Sequence, residues 1–232
     1  MFPLKDLNPS QTTPYVTYGL LALNVAVFLW QIMVQAAGGQ EAYVAFVTRL
    51  GLVPAYLTSP TVWVELSIPP PLTLLTSMFV HAGLFHLLGN MLYLWVFADN
   101  VEDSMGHGRF AIFYLLCGLG AAASQVALMP NSTIPMVGAS GAIAGVLGAY
   151  MLLFPRAQVL TLVFLFIFIR VMYLPAVLLL GVWFLMQVLS AAGGGAGVAW
   201  FAHIGGFLVG VLLIRGFAGR RRPPMVVVPP PY

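Results

Sequence analysis

Between Tyr15 and Phe217 the chain passes through six apolar segments, and all but one of its charged side chains fall outside them. The segments run approximately from Tyr15 to Ala36, Leu84 to Ala98, Phe110 to Met129, Ser140 to Phe154, Met172 to Ala192 and Phe201 to Phe217. Inside a bilayer every backbone polar group must be satisfied internally, so stretches of this kind are expected to be helices. Composition points the same way. Hydrophobic residues make up 61% of the chain and charged residues 6%, against roughly 45–50% and about 25% in soluble domains. An all-α polytopic membrane protein with six transmembrane helices is expected.

One further stretch tests that count. Ala157 to Ile169 is almost wholly apolar, but Arg156 and Arg170 bracket it. As a helix it would reach about 20 Å, short of the ~30 Å hydrocarbon core. An interfacial or re-entrant segment, with both arginines on one side, is expected instead. The first apolar segment follows a polar stretch and is too long for a signal-peptide core, so it reads as a retained helix. The chain then divides into an N-terminal cytoplasmic segment (1–14), a membrane domain (15–217) and a Pro/Arg-rich tail (218–232) expected to be disordered.

With the N-terminus inside, Lys5, Arg109, Arg156, Arg170, Arg215 and the Arg220-Arg221-Arg222 triplet all lie on the cytoplasmic side. Only Arg49 lies outside, as the positive-inside rule favours in a cell membrane. The net charge of +3 thus orients the chain toward anionic lipid and does not signal nucleic acid. Cys117, the single cysteine, excludes an internal disulfide framework and reads as a small buried hydrophobe.

This topology makes the second, fourth and sixth spans start on the outer side. His86 and Asn90 then lie near the start of the second, Ser140 at the start of the fourth and His203 near the start of the sixth. Polar groups at membrane depth are costly and mark functional sites. A serine hydroxyl becomes a nucleophile when a neutral imidazole takes its proton, which assigns Ser140 as nucleophile and His203 as base. No Asp or Glu lies in either span, so a dyad is expected rather than a triad.

The surrounding residues fit that chemistry. Ser140 stands in Gly138-Ala139-Ser140-Gly141, and Gly141, Gly145 and Gly148 could face Gly206 and Gly210 in a close helix pair. His86 and Asn90 are four residues apart, share a helix face and can donate to an oxyanion together with the Ser140 N–H. His81 is expected to brace the preceding loop. His81, His86 and His203 lack the His-Glu-x-x-His spacing, and no metal or other cofactor is expected. Glu102, Asp103, His107 and Arg109 read as a solvated turn between spans two and three.

The runs His81-Ala-Gly-Leu-Phe-His86-Leu-Leu-Gly-Asn90, Gly138-Ala-Ser140-Gly141 and Ala202-His203-Ile-Gly-Gly206 together resemble the rhomboid family of intramembrane serine proteases. The resemblance extends over roughly residues 15 to 217. It implies a six-helix core that cleaves membrane-protein substrates within or beside their transmembrane segments. Ser140 would be the nucleophile, His203 the base, and His86 with Asn90 the oxyanion group. Two departures stand out. Leu72-Thr73 occupy the place of a Trp-Arg pair found in some rhomboids, and Ala144 replaces an aromatic that in several members stacks on the catalytic histidine. What orients His203 is left open.

The first loop, Ala37 to Val80, holds Tyr43, Tyr56, Trp63 and Pro60, Pro69, Pro70 and Pro71, and is expected to lie partly embedded at the interface. Gly193-Gly194-Gly195-Ala196-Gly197 joins spans five and six and reads as part of a substrate-admitting lid or as a plain connector. A non-enzymatic alternative is an inactive relative that binds membrane clients, or a small transporter. A transporter should show an internal repeat, and an inactive relative should lack the serine or the histidine. This chain shows no clear repeat and keeps both residues.

Overall fold

The computed structural model describes residues 1–59, 61, 63, 67–165, 168–194 and 197–219. Pro60, Gly195, Ala196 and the tail from Arg220 to Tyr232, with its arginine triplet, lie outside the described residues.

The chain is mostly helical. A short strand β1 (Phe2–Asp6) precedes α1 (Tyr15–Leu50), α2 (Pro54–Thr58), α3 (Pro70–Thr76), α4 (Leu84–Met105), α5 (His107–Leu128) and α6 (Ser140–Leu153). Strands β2 (Gln158–Leu165) and β3 (Phe168–Pro175) follow, then α7 (Ala176–Ala192) and α8 (Trp200–Phe217). Each expected apolar segment contains one helix. By length and composition α1, α5 and α8 can each cross a membrane, and a fourth span forms if Pro70–Phe79 and Leu84–Met105, bent by 79°, count as one. The helices α6 (14 residues) and α7 (17 residues) are shorter.

The sheet corrects the all-α expectation. The stretch from Ala157 to Ile169, expected to be interfacial or re-entrant, is largely strand: β2 and β3 pair antiparallel as a hairpin, and β2 also pairs antiparallel with β1, giving the order β1-β2-β3. The hairpin is rich in β-branched and aromatic residues, including Val159, Thr161, Val163, Ile169, Val171 and Tyr173, which suit a pleated surface. Burial alternates along β2, where Val159, Thr161 and Val163 face inward and Phe164 is exposed. Apolar residues on both faces had hidden this period of two. Pro175 closes β3, so α7 begins at Ala176, four residues after the expected start of the fifth segment.

Part of the first loop is helical. Helix α1 continues to Leu50 across a break at Gly39, whose φ of 69° suits glycine. The rest of the loop includes the short helices α2 and α3. Its backbone is tied to the segment before Ser140: Leu52 and Met136 exchange N–H···O bonds of 3.0 and 2.7 Å, and the Gly138 N–H donates to the Ser77 carbonyl at 2.9 Å.

Glu102 brings a second correction. It does not lie in a solvated turn, because α4 runs through Asp99–Asp103 and buries Glu102 completely. The carboxylate accepts from the N–H groups of Val16 (2.9 Å) and Thr17 (2.8 Å), the Thr17 hydroxyl (2.6 Å) and His107 Nδ1 (2.6 Å). These backbone donors open α1 and would otherwise lack partners, so a distant carboxylate caps the helix.

Helix α6 lies at the centre, with every residue from Gly141 to Tyr150 buried, and it packs chiefly on α8 and α5. The glycine faces meet as expected. A Cβ on Gly206 or Gly210 would strike the Gly141 or Gly145 carbonyl oxygen. Helix α8 therefore rides against α6 backbone to backbone, which sets the distance between their first residues.

Candidate active site

Three helix starts converge. Ser140 is the first residue of α6, His203 the fourth of α8, and His86 and Asn90 occupy the first two turns of α4. His203 Nε2 lies 2.8 Å from Ser140 Oγ, across 63 residues of sequence. The contact is possible because Gly141 and Gly206 bring the two backbones together next to it.

Gly138 holds the other side of the site. Its φ of +117° lies in the region that disfavours side chains. A Cβ there would stand 2.7 Å from His86 Cε1, 2.8 Å from His86 Nε2 and 3.5 Å from Asn90 Nδ2. Only glycine lets the histidine and the asparagine approach the turn that leads into Ser140. The Ala82 N–H donates to His86 Nδ1 at 3.3 Å, so Nε2 is the protonated nitrogen and a donor. Asn90 is buried, and its Nδ2 has no hydrogen-bond partner among the described residues.

The backbone adds further donors. The first helical bond of α6 in this turn runs from the Ile143 N–H to the Ala139 carbonyl at 3.0 Å. The N–H groups of Ser140 and Gly141 precede it and have no partner within the helix. Donors from α4 thus stand against the Gly138 turn that leads into Ser140, beside the N–H groups that open α6, an arrangement able to hold a developing oxyanion.

His81 is fully buried. Its carbonyl accepts from Gln31 Nε2 at 2.6 Å, its Nδ1 lies 3.3 Å from the Phe79 carbonyl, and its ring meets that of His86 at 5.2 Å. It sits behind His86 and is clamped to α1. Leu72 and Thr73, in the place of the Trp-Arg pair, belong to α3, where the buried Thr73 hydroxyl donates to the Pro70 carbonyl at 2.6 Å.

One residue at the site escaped the sequence reading. Gln187 of α7 is 7% exposed, and its Oε1 lies 2.8 Å from His203 Nδ1. Its Nε2 donates to the Trp183 carbonyl one turn back, at 3.1 Å. Trp183 itself flanks the imidazole, with ring centroids 6.0 Å apart. The available signal was a lone amide within an apolar helix, which points to a site even without charge.

A sequence model of the rhomboid domain matches residues 70–220. The chain is 30% identical over 209 residues to rhomboid protein 1, mitochondrial, of Saccharomyces cerevisiae, covering 85% of this chain and 51% of that one. It is 34% identical over 136 residues to rhomboid protease GluP of Bacillus subtilis, covering 59% and 24% respectively. With RHOMBOID-like protein 2 of Arabidopsis thaliana it shares 36% over 147 residues, 61% of this chain and 42% of that one. The chain thus spans between about a quarter and a half of the length of these relatives. The domain match covers the helices that carry His86, Asn90, Ser140, Gln187 and His203, and on that match the chain belongs to the rhomboid family.

Proposed function

We propose that this protein is an intramembrane serine endopeptidase that hydrolyses peptide bonds in or beside the transmembrane segments of other membrane proteins. The observation that carries the proposal is the 2.8 Å approach of His203 Nε2 to Ser140 Oγ within an apolar helix bundle. Membership of a family that includes a relative named as a protease supports it.

In this reading His203 takes the Ser140 proton as Oγ attacks the scissile carbonyl carbon. The new Oγ–C bond drives electrons onto the carbonyl oxygen, which the His86 Nε2–H, the Asn90 amide and the Ser140 N–H receive. Collapse breaks the C–N bond, and His203 returns its proton to the leaving amine. Water then attacks the acyl-enzyme through the same base and restores the serine.

The helices α1 and α4 to α8 serve as six spans, with both termini cytoplasmic and the site in the outer half of the bilayer. Residues 15–217 then form the protease domain, flanked by a cytoplasmic segment and a Pro/Arg-rich tail. Substrates must present an extended strand to such a site, so helix-weakening residues are expected near the outer end of their spans.

A serine-directed fluorophosphonate tests the reading without a known substrate. Labelling mapped by mass spectrometry to Ser140, and lost in a folded His203→Ala variant, is expected. A folded wild-type protein that takes no label at Ser140, or takes it equally without His203, would favour an inactive, client-binding protein.

A further inference from the structure

The helix α7 is a poor packer. Its buried residues are Ala176, Leu179 and Leu180 at one end and Gln187 toward the other. A polar side chain buried on an otherwise exposed stretch costs free energy unless its hydrogen bonds are made. Both ends of the Gln187 amide are engaged, and the partners fix which way it points. The Trp183 carbonyl can only accept, so the NH2 group must face it at 3.1 Å and the Oε1 must face His203 at 2.8 Å. The flipped amide would set two carbonyl oxygens against each other.

This orientation settles the imidazole. An oxygen opposite Nδ1 requires a proton on Nδ1, which leaves the lone pair on Nε2, aimed at Ser140 Oγ at 2.8 Å. We propose that Gln187 is a positioning residue that selects the reactive tautomer of His203 and steadies its ring through the reaction. Once Nε2 has taken the Ser140 proton, the Gln187 carbonyl dipole faces the Nδ1–H of the imidazolium. A carboxylate would stabilise that charge more, but burying one at this depth is expensive, whereas a neutral amide adds no charge. The absence of Asp and Glu from α6 and α8 is then compatible with a three-membered hydrogen-bond chain in which Gln187 takes no proton. Trp183, on the same helix, supplies a ring beside His203 where Ala144 supplies none.

The inference rests on the protease reading, and the test separates the two. Full-length wild type, Gln187→Met, Gln187→Glu and Ser140→Ala are compared on a transmembrane reporter substrate, with kcat and KM measured separately. Methionine keeps the length and shape but removes the acceptor. Protonated glutamic acid can reproduce both bonds, its hydroxyl toward Trp183 and its carbonyl toward His203. The expected result is a fall in kcat of about 100-fold for Gln187→Met, the lower end of a general base's contribution. KM should change by less than about two-fold, and Gln187→Glu should recover most of the loss, because the residue acts through His203 and touches no substrate. Wild-type kcat in folded Gln187→Met, or equal losses in both variants, would overturn the inference. A wild type that cleaves nothing would overturn the protease reading instead. Nitrogen-15 NMR of His203 in the wild type decides the matter if Gln187→Met does not fold. A protonated Nδ1 and a bare Nε2 are expected, and the reverse tautomer contradicts the proposal.

Discussion

The Glu102 carboxylate, on α4, closes the N-terminus of α1 by accepting the Val16 and Thr17 N–H groups, although some 85 residues separate them in sequence. Glu102→Ala leaves those donors and the Thr17 hydroxyl without partners in the interior. A loss of about 2–4 kcal/mol is expected, since each orphaned buried group costs ~1–3 kcal/mol. Thermal or denaturant unfolding of the purified protein measures it. A change below about 0.5 kcal/mol would mean that water or another side chain takes over the cap.

Gly138 tests the oxyanion arrangement without touching a reacting group. Gly138→Ala puts a methyl into the His86 ring at 2.7–2.8 Å and demands a positive φ from alanine. Displacing His86 should lower kcat by about 100- to 1,000-fold, the usual cost of one oxyanion donor. The expected variant still folds and still holds the Ser140–His203 contact. Unimpaired turnover would remove His86 from the proposed hole.

The contact between α6 and α8 makes a contrast within one helix. Gly210→Ala drives a Cβ into the Gly145 backbone, which cannot move aside cheaply, whereas Gly216→Ala meets nothing within 4 Å among the described residues. The first is expected to cost about 1–3 kcal/mol and to reduce activity by separating Ser140 from His203. The second should be neutral or slightly stabilising, because alanine favours the helix. Melting temperatures and cleavage rates of the pair check this, and equal behaviour would show that the close approach is not needed.

Asp6 gives the strand β1 a pH dependence. Burial raises its carboxyl to about 7, with Asp99 nearby adding to the rise and the Tyr150 hydroxyl, donating at 2.6 Å, opposing it. A carboxyl that holds its proton more tightly when folded makes the unfolded state the poorer proton binder. Docking of β1 should therefore be firmest near pH 4 and weaken as pH rises to about 7, with little further change above. Hydrogen exchange along β1 at pH 5 and pH 8 reads this directly. Asp6→Asn, which keeps an acceptor for Tyr150, should abolish the difference, and an unaltered pH response would assign it to another group.

The proposed reacting groups were legible because each is a polar residue inside an apolar run, where an unneeded polar group is expensive. The starts of α6 and α8 were legible too, since Ser140 and His203 follow loops rich in glycine and polar residues. The hairpin was not. Gln158–Pro175 is apolar on both faces, so no alternation separates strand from helix, and its partner β1 lies more than 150 residues earlier. Glu102 was misplaced for a related reason. Its charge looked like a solvated turn, and only the tertiary fold brings the α1 donors to it. Gln187 was not legible because the usual partner of such an imidazole is a carboxylate, whereas the group facing His203 Nδ1 is a neutral amide on α7.

The most direct measurement is cleavage of a transmembrane reporter by the purified wild-type protein in lipid, beside Ser140→Ala and His203→Ala. Cleavage by the wild type that vanishes in both folded variants is the predicted result. Cleavage that survives in Ser140→Ala, or none by the wild type across several reporters, would contradict the account.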